Sequence, residues 1–130
     1  MKTEQFNSII EEQQKRCTDI LITKAKEYAT EDRLHNFKVA AVLQMTTPIN
    51  ALAGMMAKHT VSIYDMCRSG QTYSEEMWNE KITDHINYLL LLKALTVEET
   101  ERAVPYNDEL NTAASLLEEE PEIWPPGILF

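Results

Sequence analysis

A chain of 130 residues with 12 Lys and Arg against 21 Asp and Glu carries a formal charge of −9 at pH 7. That length gives one domain with a real core, and that charge excludes non-specific nucleic-acid binding, which needs cations to neutralise phosphates. Cys17 and Cys67 lack metal-ligand spacing and read as buried thiols of a reducing cytoplasm; no signal peptide is expected in the polar residues 1–14, and no apolar run is long enough for a membrane span.

A small anionic ligand in a local cationic pocket stays compatible with this acidity. The first helix is expected over residues 3–28, where Phe6, Ile9, Ile10, Cys17, Ile20, Leu21, Ala25 and Tyr28 recur at helical spacing. Gln13 and Lys24 interrupt that stripe. Lys24 either snorkels its ammonium to the rim or faces a shared polar pocket. Thr30 or Asp32 caps a second helix over 33–43, with Leu34, Phe37 and Ala41 inward.

Thr47 followed by Pro48 is a start signal for a third helix over 48–67, stopped by Ser69-Gly70. Ile49, Leu52, Met56, Ile63 and Met66 share a face with His59, and Gly54 points to a close helix crossing. The fourth helix, 74–95, is apolar nearly all round, yet carries Asp84, His85 and Asn87 in its middle. On a helical wheel Asp84 falls among Met77, Tyr88, Leu91 and Leu95, whereas His85 falls among Trp78, Ile82, Leu89 and Leu92. Polar groups on such a helix must meet a partner, since burying one unpaired costs roughly 2–7 kcal/mol.

Pro105 is expected to end whatever precedes it. Asn107 or Asp108 then caps a short fifth helix carrying Leu110, Ala113, Ala114 and Leu117. Three prolines keep the apolar residues 121–130 extended. The expected fold is therefore all-α, a bundle of four main helices with a short fifth helix and an extended C-terminal arm. Residues 1–120 form the domain and 121–130 the arm. A homo-oligomer through the fourth helix and the arm is expected, because both carry apolar surface that a monomer leaves uncovered.

Three groups of residues carry chemistry. Lys24, Lys26, Tyr28, Arg33 and Asn36 surround the junction of the first two helices, joining cations for phosphate to a ring for stacking. Lys58 and His59 sit midway along the third helix; the histidine is either a satisfied core residue or a ligand. Glu80 and Asp84, four apart, project from one side of the fourth helix and can share a hard cation such as Mg²⁺. An ion pair of Asp84 with Lys24 or Lys58 is the competing reading.

The order Lys24, Tyr28, Asn36-Phe37, Lys58-His59, then Glu80, Asp84, Asn87 and Tyr88 resembles a phage and prophage family of small helical nucleotide-modification-associated domains. That family is distantly similar to MazG-type all-α nucleoside triphosphate pyrophosphohydrolases. The resemblance implies a phage-type protein in the host cytoplasm that binds a nucleotide or nucleotide-derived signal, sequestering it against a host defence. Lys24, Lys26, Arg33 and Lys58 would meet phosphates, Tyr28 and Tyr88 a base, and Asn36, His59, Asp84, His85 and Asn87 would supply directed hydrogen bonds.

The alternative is a Mg²⁺-dependent pyrophosphohydrolase, with Glu27, Glu80 and Asp84 holding the ion and Glu80 and Asp84 as the catalytic pair. The acidic pairs Glu27–Glu31 and Glu80–Asp84 are spaced by four residues, not by three as in MazG-type enzymes. The resemblance therefore speaks more for fold and ligand than for hydrolysis, and binding without a cofactor is preferred. A third reading is an acidic interaction protein that inhibits a host factor.

Overall fold

The computed structural model describes residues 1–27 and 31–118, with the side chains of 104–109, 112–113 and 116–118 left aside. Four helices and no strand occur among the described residues: α1 (Thr3–Glu27), α2 (His35–Leu43), α3 (Pro48–Arg68) and α4 (Glu75–Glu118). The all-α expectation holds. The chain divides into two units, Met1–Leu95 and Thr96–Phe130.

In the first unit α1 is amphipathic and electrostatically well ended. Glu4 lies in its first turn and Lys24 and Lys26 in its last, each complementing the helix dipole. The turn into α2 is set by Asp32. Its carboxylate accepts the Leu34 N–H at 3.0 Å and the Lys38 ammonium at 2.6 Å, and the Lys38 bond holds the Asp32 carboxyl below its usual range. With Asp32 so engaged the helix starts at His35, two residues later than expected, and Leu34 occupies the cap position without a side-chain cap bond.

α2 ends in a Schellman turn. The Thr46 N–H donates to Ala41 O at 2.9 Å and the Met45 N–H to Val42 O at 3.1 Å. Met45 takes the left-handed position that glycine usually fills, at φ 50°, and is 93% exposed. The helix axes of α2 and α3 then bend by 97°. α3 begins as its sequence predicts: Thr47 is extended and its Oγ1 accepts the Asn50 N–H, with Pro48 in the first turn. Gly70 at φ 68° follows the cap residue Ser69.

The core of this unit is Leu34, Phe37, Leu52 and Leu95, with Ile49, Met55, Met56, Tyr88, Leu91 and Leu92 packed against it. Among the described residues of α4, Thr83 and Asn87 are the buried polar ones. Thr83 is satisfied across the bundle, where Gln13 Nε2 of α1 donates to its Oγ1 at 2.8 Å. The polar break in the α1 stripe thus has a partner 70 residues away. At the start of α4, Tyr73 and Trp78 meet edge to face at 5.9 Å.

Three local expectations need correction. Cys17 is buried, but Cys67 is exposed, because Met66 takes the inward position and the next residue turns about 100° away. A Cβ on Gly54 would meet nothing within 4 Å, so no described helix crosses close to it, and nothing among the described residues explains this glycine. The helix expected to stop before Pro105 is assigned without a break to Glu118. Proline removes one backbone donor, and the helix absorbs that loss instead of ending. A separate fifth helix is therefore not delimited, and the arm 121–130 lies outside the described residues. In the second unit the helix carries its own local bonds, Thr100 Oγ1 to Thr96 O at 2.8 Å and Arg102 to Glu98 at 3.3 Å. No single helix among the described residues is long and apolar enough to cross a membrane.

A left-handed residue with a Cβ costs roughly 1–2 kcal/mol, offset in part by the extra unfolded-state entropy of glycine. Met45→Gly is therefore expected to raise the unfolding free energy by about 0.5–1 kcal/mol in urea titrations, whereas Met45→Ala leaves it unchanged. A Met45→Gly variant no more stable than Met45→Ala would contradict the strained cap.

Candidate functional site

The ends of α1 and α2 and the middle of α4, all within the first unit, enclose a cleft of about 150 Å³. α1 contributes Ile20, Leu21 and Lys24 from its last turns. The segment entering α2 contributes Arg33, Asn36 and Phe37, and α4 contributes Asp84, Asn87, Tyr88 and Leu91. The three helices deliver these groups for simple reasons of period. Asp84, Asn87, Tyr88 and Leu91 follow one another at three- and four-residue steps along one side of α4. Lys24 lies one turn beyond Ile20 on the stripe that faces α4.

Ile20, Leu21, Phe37, Tyr88 and Leu91 make the walls apolar and partly aromatic. Lys24 and Arg33 bring positive charge, and Asp84 a carboxylate. The Lys24 ammonium stands 3.3 Å from Glu27 Oε2 on the exposed end of α1, so it pairs there and not with Asp84. Glu27 is used in this pair. Asn87 is only 6% exposed, and its Oδ1 is buried with no hydrogen-bond partner among the described residues. An orphaned acceptor of this kind costs about 1–3 kcal/mol.

His59 of α3 stands beside Asp84 and Tyr88. Its Nδ1 is 4.0 Å from Asp84 Oδ2, beyond hydrogen-bond reach but close enough for charge to be felt. Its ring lies 4.8 Å from that of Tyr88, tilted by 35°. Burial depresses the His59 pKa from its ordinary 6.5, opposed by Asp84 and assisted by the cations Lys58 and Lys81 and by His85. The imidazole is therefore neutral at pH 7, and the Asp84 carboxylate faces the cleft without a full counter-charge behind it.

Of the residues expected to meet a ligand, Lys24, Arg33, Asn36, Asp84, Asn87 and Tyr88 come together in the cleft, and His59 supports two of them. The others do not line it. Lys26 is exposed in the last turn of α1 and Lys58 is exposed on α3. His85 turns toward α3, where its Nε2 and Thr60 Oγ1 are 2.9 Å apart; it ties the two helices together. Tyr28 lies outside the described residues. Glu80 is exposed and does not line the cleft, so Glu27, Glu80 and Asp84 are not gathered around one point. Among the described residues no three His, Cys, Asp or Glu side chains form a group that could hold a metal.

Sequence reasoning missed the walls Ile20, Leu21, Phe37 and Leu91 as site residues, because it assigned them to the core. One signal was available for the charge of the site: no acid occurs between Asp32 and Asp65, whereas Arg33, Lys38 and Lys58 do. No family model matches the chain, and no curated protein or solved structure matches it either.

A histidine depressed by burial contributes stability that is present above its unfolded pKa and lost as pH falls toward the folded value. Unfolding free energy is expected to decline as pH drops below about 6.5. NMR titration of the His59 ring should give a midpoint below the ordinary value, and Asp84→Asn should lower it further by removing the opposing charge. A midpoint raised by Asp84→Asn would overturn the electrostatics described.

Proposed function

We propose that this chain binds a nucleotide or nucleotide-derived signal in the α1–α2–α4 cleft and sequesters it. One observation carries the reading: two cations, a carboxylate, two carboxamides and two rings, scattered over 65 residues of sequence, line a single cleft. Rings and aliphatic walls suit a heterocycle, while Lys24 and Arg33 suit phosphate. The volume also bears on the mode of binding. Pockets that enclose a drug-sized ligand run to about 300–1,000 Å³, so a cleft of about 150 Å³ takes one ring system and leaves sugar and phosphate toward the rim.

Sequestration is preferred to turnover because the acids that would make a metal cage are dispersed. Glu27 is paired with Lys24, and Glu80 lies off the cleft. The resemblance to phage nucleotide-modification-associated domains suits the same ligand class. Titration calorimetry with a nucleoside monophosphate panel tests it. Lys24→Ala and Arg33→Ala should each weaken binding by about 10–100-fold, the effect of losing a charge-assisted hydrogen bond, with Lys26→Ala unchanged. Ligand incubated with protein and Mg²⁺ should be recovered intact by mass spectrometry. Pyrophosphate release from a triphosphate that Asp84→Asn abolishes would replace this reading with the hydrolytic one.

We infer also that the protein self-associates through α4. Leu89 and Leu90 of α4 are each about half exposed, at 48% and 47%, and leave apolar surface that a monomer does not cover. Light scattering at micromolar concentration should return a dimer or larger species, and Leu89→Glu with Leu90→Glu a smaller one. A monomeric native chain would contradict this.

A further inference from the structure

We propose that the cleft selects guanine among the bases, by presenting acceptors from Asp84 and Asn87 to the N1–H and N2 amino edge. The inference rests on the nucleotide reading above and names its base.

The acceptors come from the register of α4. Asp84 and Asn87 are three residues apart, which places them on one side of the helix as neighbours, and both line the cleft. An ionised carboxylate offers only acceptors. The Asn87 amide oxygen is a second acceptor, buried and without a partner among the described residues. The α4 wall thus offers two acceptors, the Asp84 carboxylate and the Asn87 oxygen, beside the donors of the Asn87 amide nitrogen and the Tyr88 hydroxyl. A guest that supplies N–H groups there removes the cost of the orphaned oxygen, and a guest that supplies lone pairs adds to it.

The bases differ in what they offer. Guanine carries adjacent donors, N1–H and the N2 amino group. The Asp84 carboxylate can accept N1–H and one amino hydrogen side by side, leaving the other amino hydrogen for Asn87 Oδ1. Adenine and cytosine each place a ring acceptor next to their amino group, and that lone pair would face the carboxylate. Uracil has one N–H between two carbonyl oxygens. Hypoxanthine keeps N1–H and lacks the amino group, so the difference between the two bases measures what the two amino contacts add. Tyr88 and Phe37 give the ring apolar faces, and Asn36, whose carboxamide can donate, suits the guanine O6.

The test is calorimetric titration of the full chain with guanosine, inosine and adenosine monophosphates at one salt concentration. Guanosine monophosphate should bind about 10–100-fold tighter than adenosine monophosphate, the usual worth of a bidentate base contact, with inosine monophosphate between them. Asn87→Leu, which replaces the amide with an apolar group of similar size, should narrow the gap between guanosine and inosine monophosphates to the share of the amino hydrogen held by Asp84. Asp84→Asn should collapse the preference over adenosine monophosphate, with circular dichroism checking that both variants fold. Equal binding of all three nucleotides would overturn the base assignment and leave the nucleotide reading standing. Preference for adenosine monophosphate would mean that the wall presents a donor, and would also overturn it. If none of the three binds, the nucleotide reading fails and this inference fails with it.

Discussion

The structure depends on how α4 settles the polar groups on its buried face. Thr83 and Asn87 sit one helical turn apart on that face, where an unpaired hydroxyl or amide is costly. Gln13 reaches across from α1 to satisfy Thr83 at 2.8 Å. That bond fixes the register of α1 against α4, and with it the height at which Ile20, Leu21 and Lys24 arrive beside Asn87 and Leu91. Asn87 Oδ1 has no such partner among the described residues. The same helix face thus contains one polar residue used for folding and one left open where the cleft lies.

Around that opening the charges are arranged against the average of the chain. A protein of net charge −9 repels an anionic ligand at long range. The wall entering α2 belongs to the acid-free stretch from Arg33 to Tyr64 and supplies a guanidinium. α1 adds an ammonium at its C-terminal end, where the helix dipole already favours a cation. His59 packs its ring against Tyr88 and stands 4.0 Å from the Asp84 carboxylate, close enough for charge to be felt but without a hydrogen bond. His85, the next residue along from Asp84, serves α3–α4 attachment through Thr60. Neighbours in sequence have separate tasks because they point about 100° apart.

Much of this was legible in the sequence where one element decides the outcome. Apolar spacing gave α1 to within a residue, and Thr47-Pro48 with Ser69-Gly70 bracketed α3. Of the six expected ligand residues in the cleft, Asp84, Asn87 and Tyr88 share one side of α4 through the helical period, while Lys24, Arg33 and Asn36 arrive from the end of α1 and the start of α2. The helical wheel separated Asp84 from His85 for the same reason. What depends on distance in the chain was not legible. Gln13 looked like a flaw in a stripe until Thr83 was seen opposite it. Charge alone groups Lys26 and Lys58 with the site, and the helical period turns both outward. Pro105 was weighted as a terminator on its local chemistry, although a helix can lose one donor and continue. Cys67 was judged by residue type, and its neighbour Met66 took the inward place.

The account turns on Asn87 being the open group of an otherwise satisfied helix face. Its side-chain amide gives a separate proton–nitrogen NMR signal, as do those of Gln13 and Asn50. On adding guanosine monophosphate the Asn87 signal should move and its exchange with solvent should slow, while Gln13, held by Thr83, and Asn50, exposed at the start of α3, stay where they are. An Asn87 signal that does not respond while nucleotide binds would place the ligand elsewhere and contradict the account.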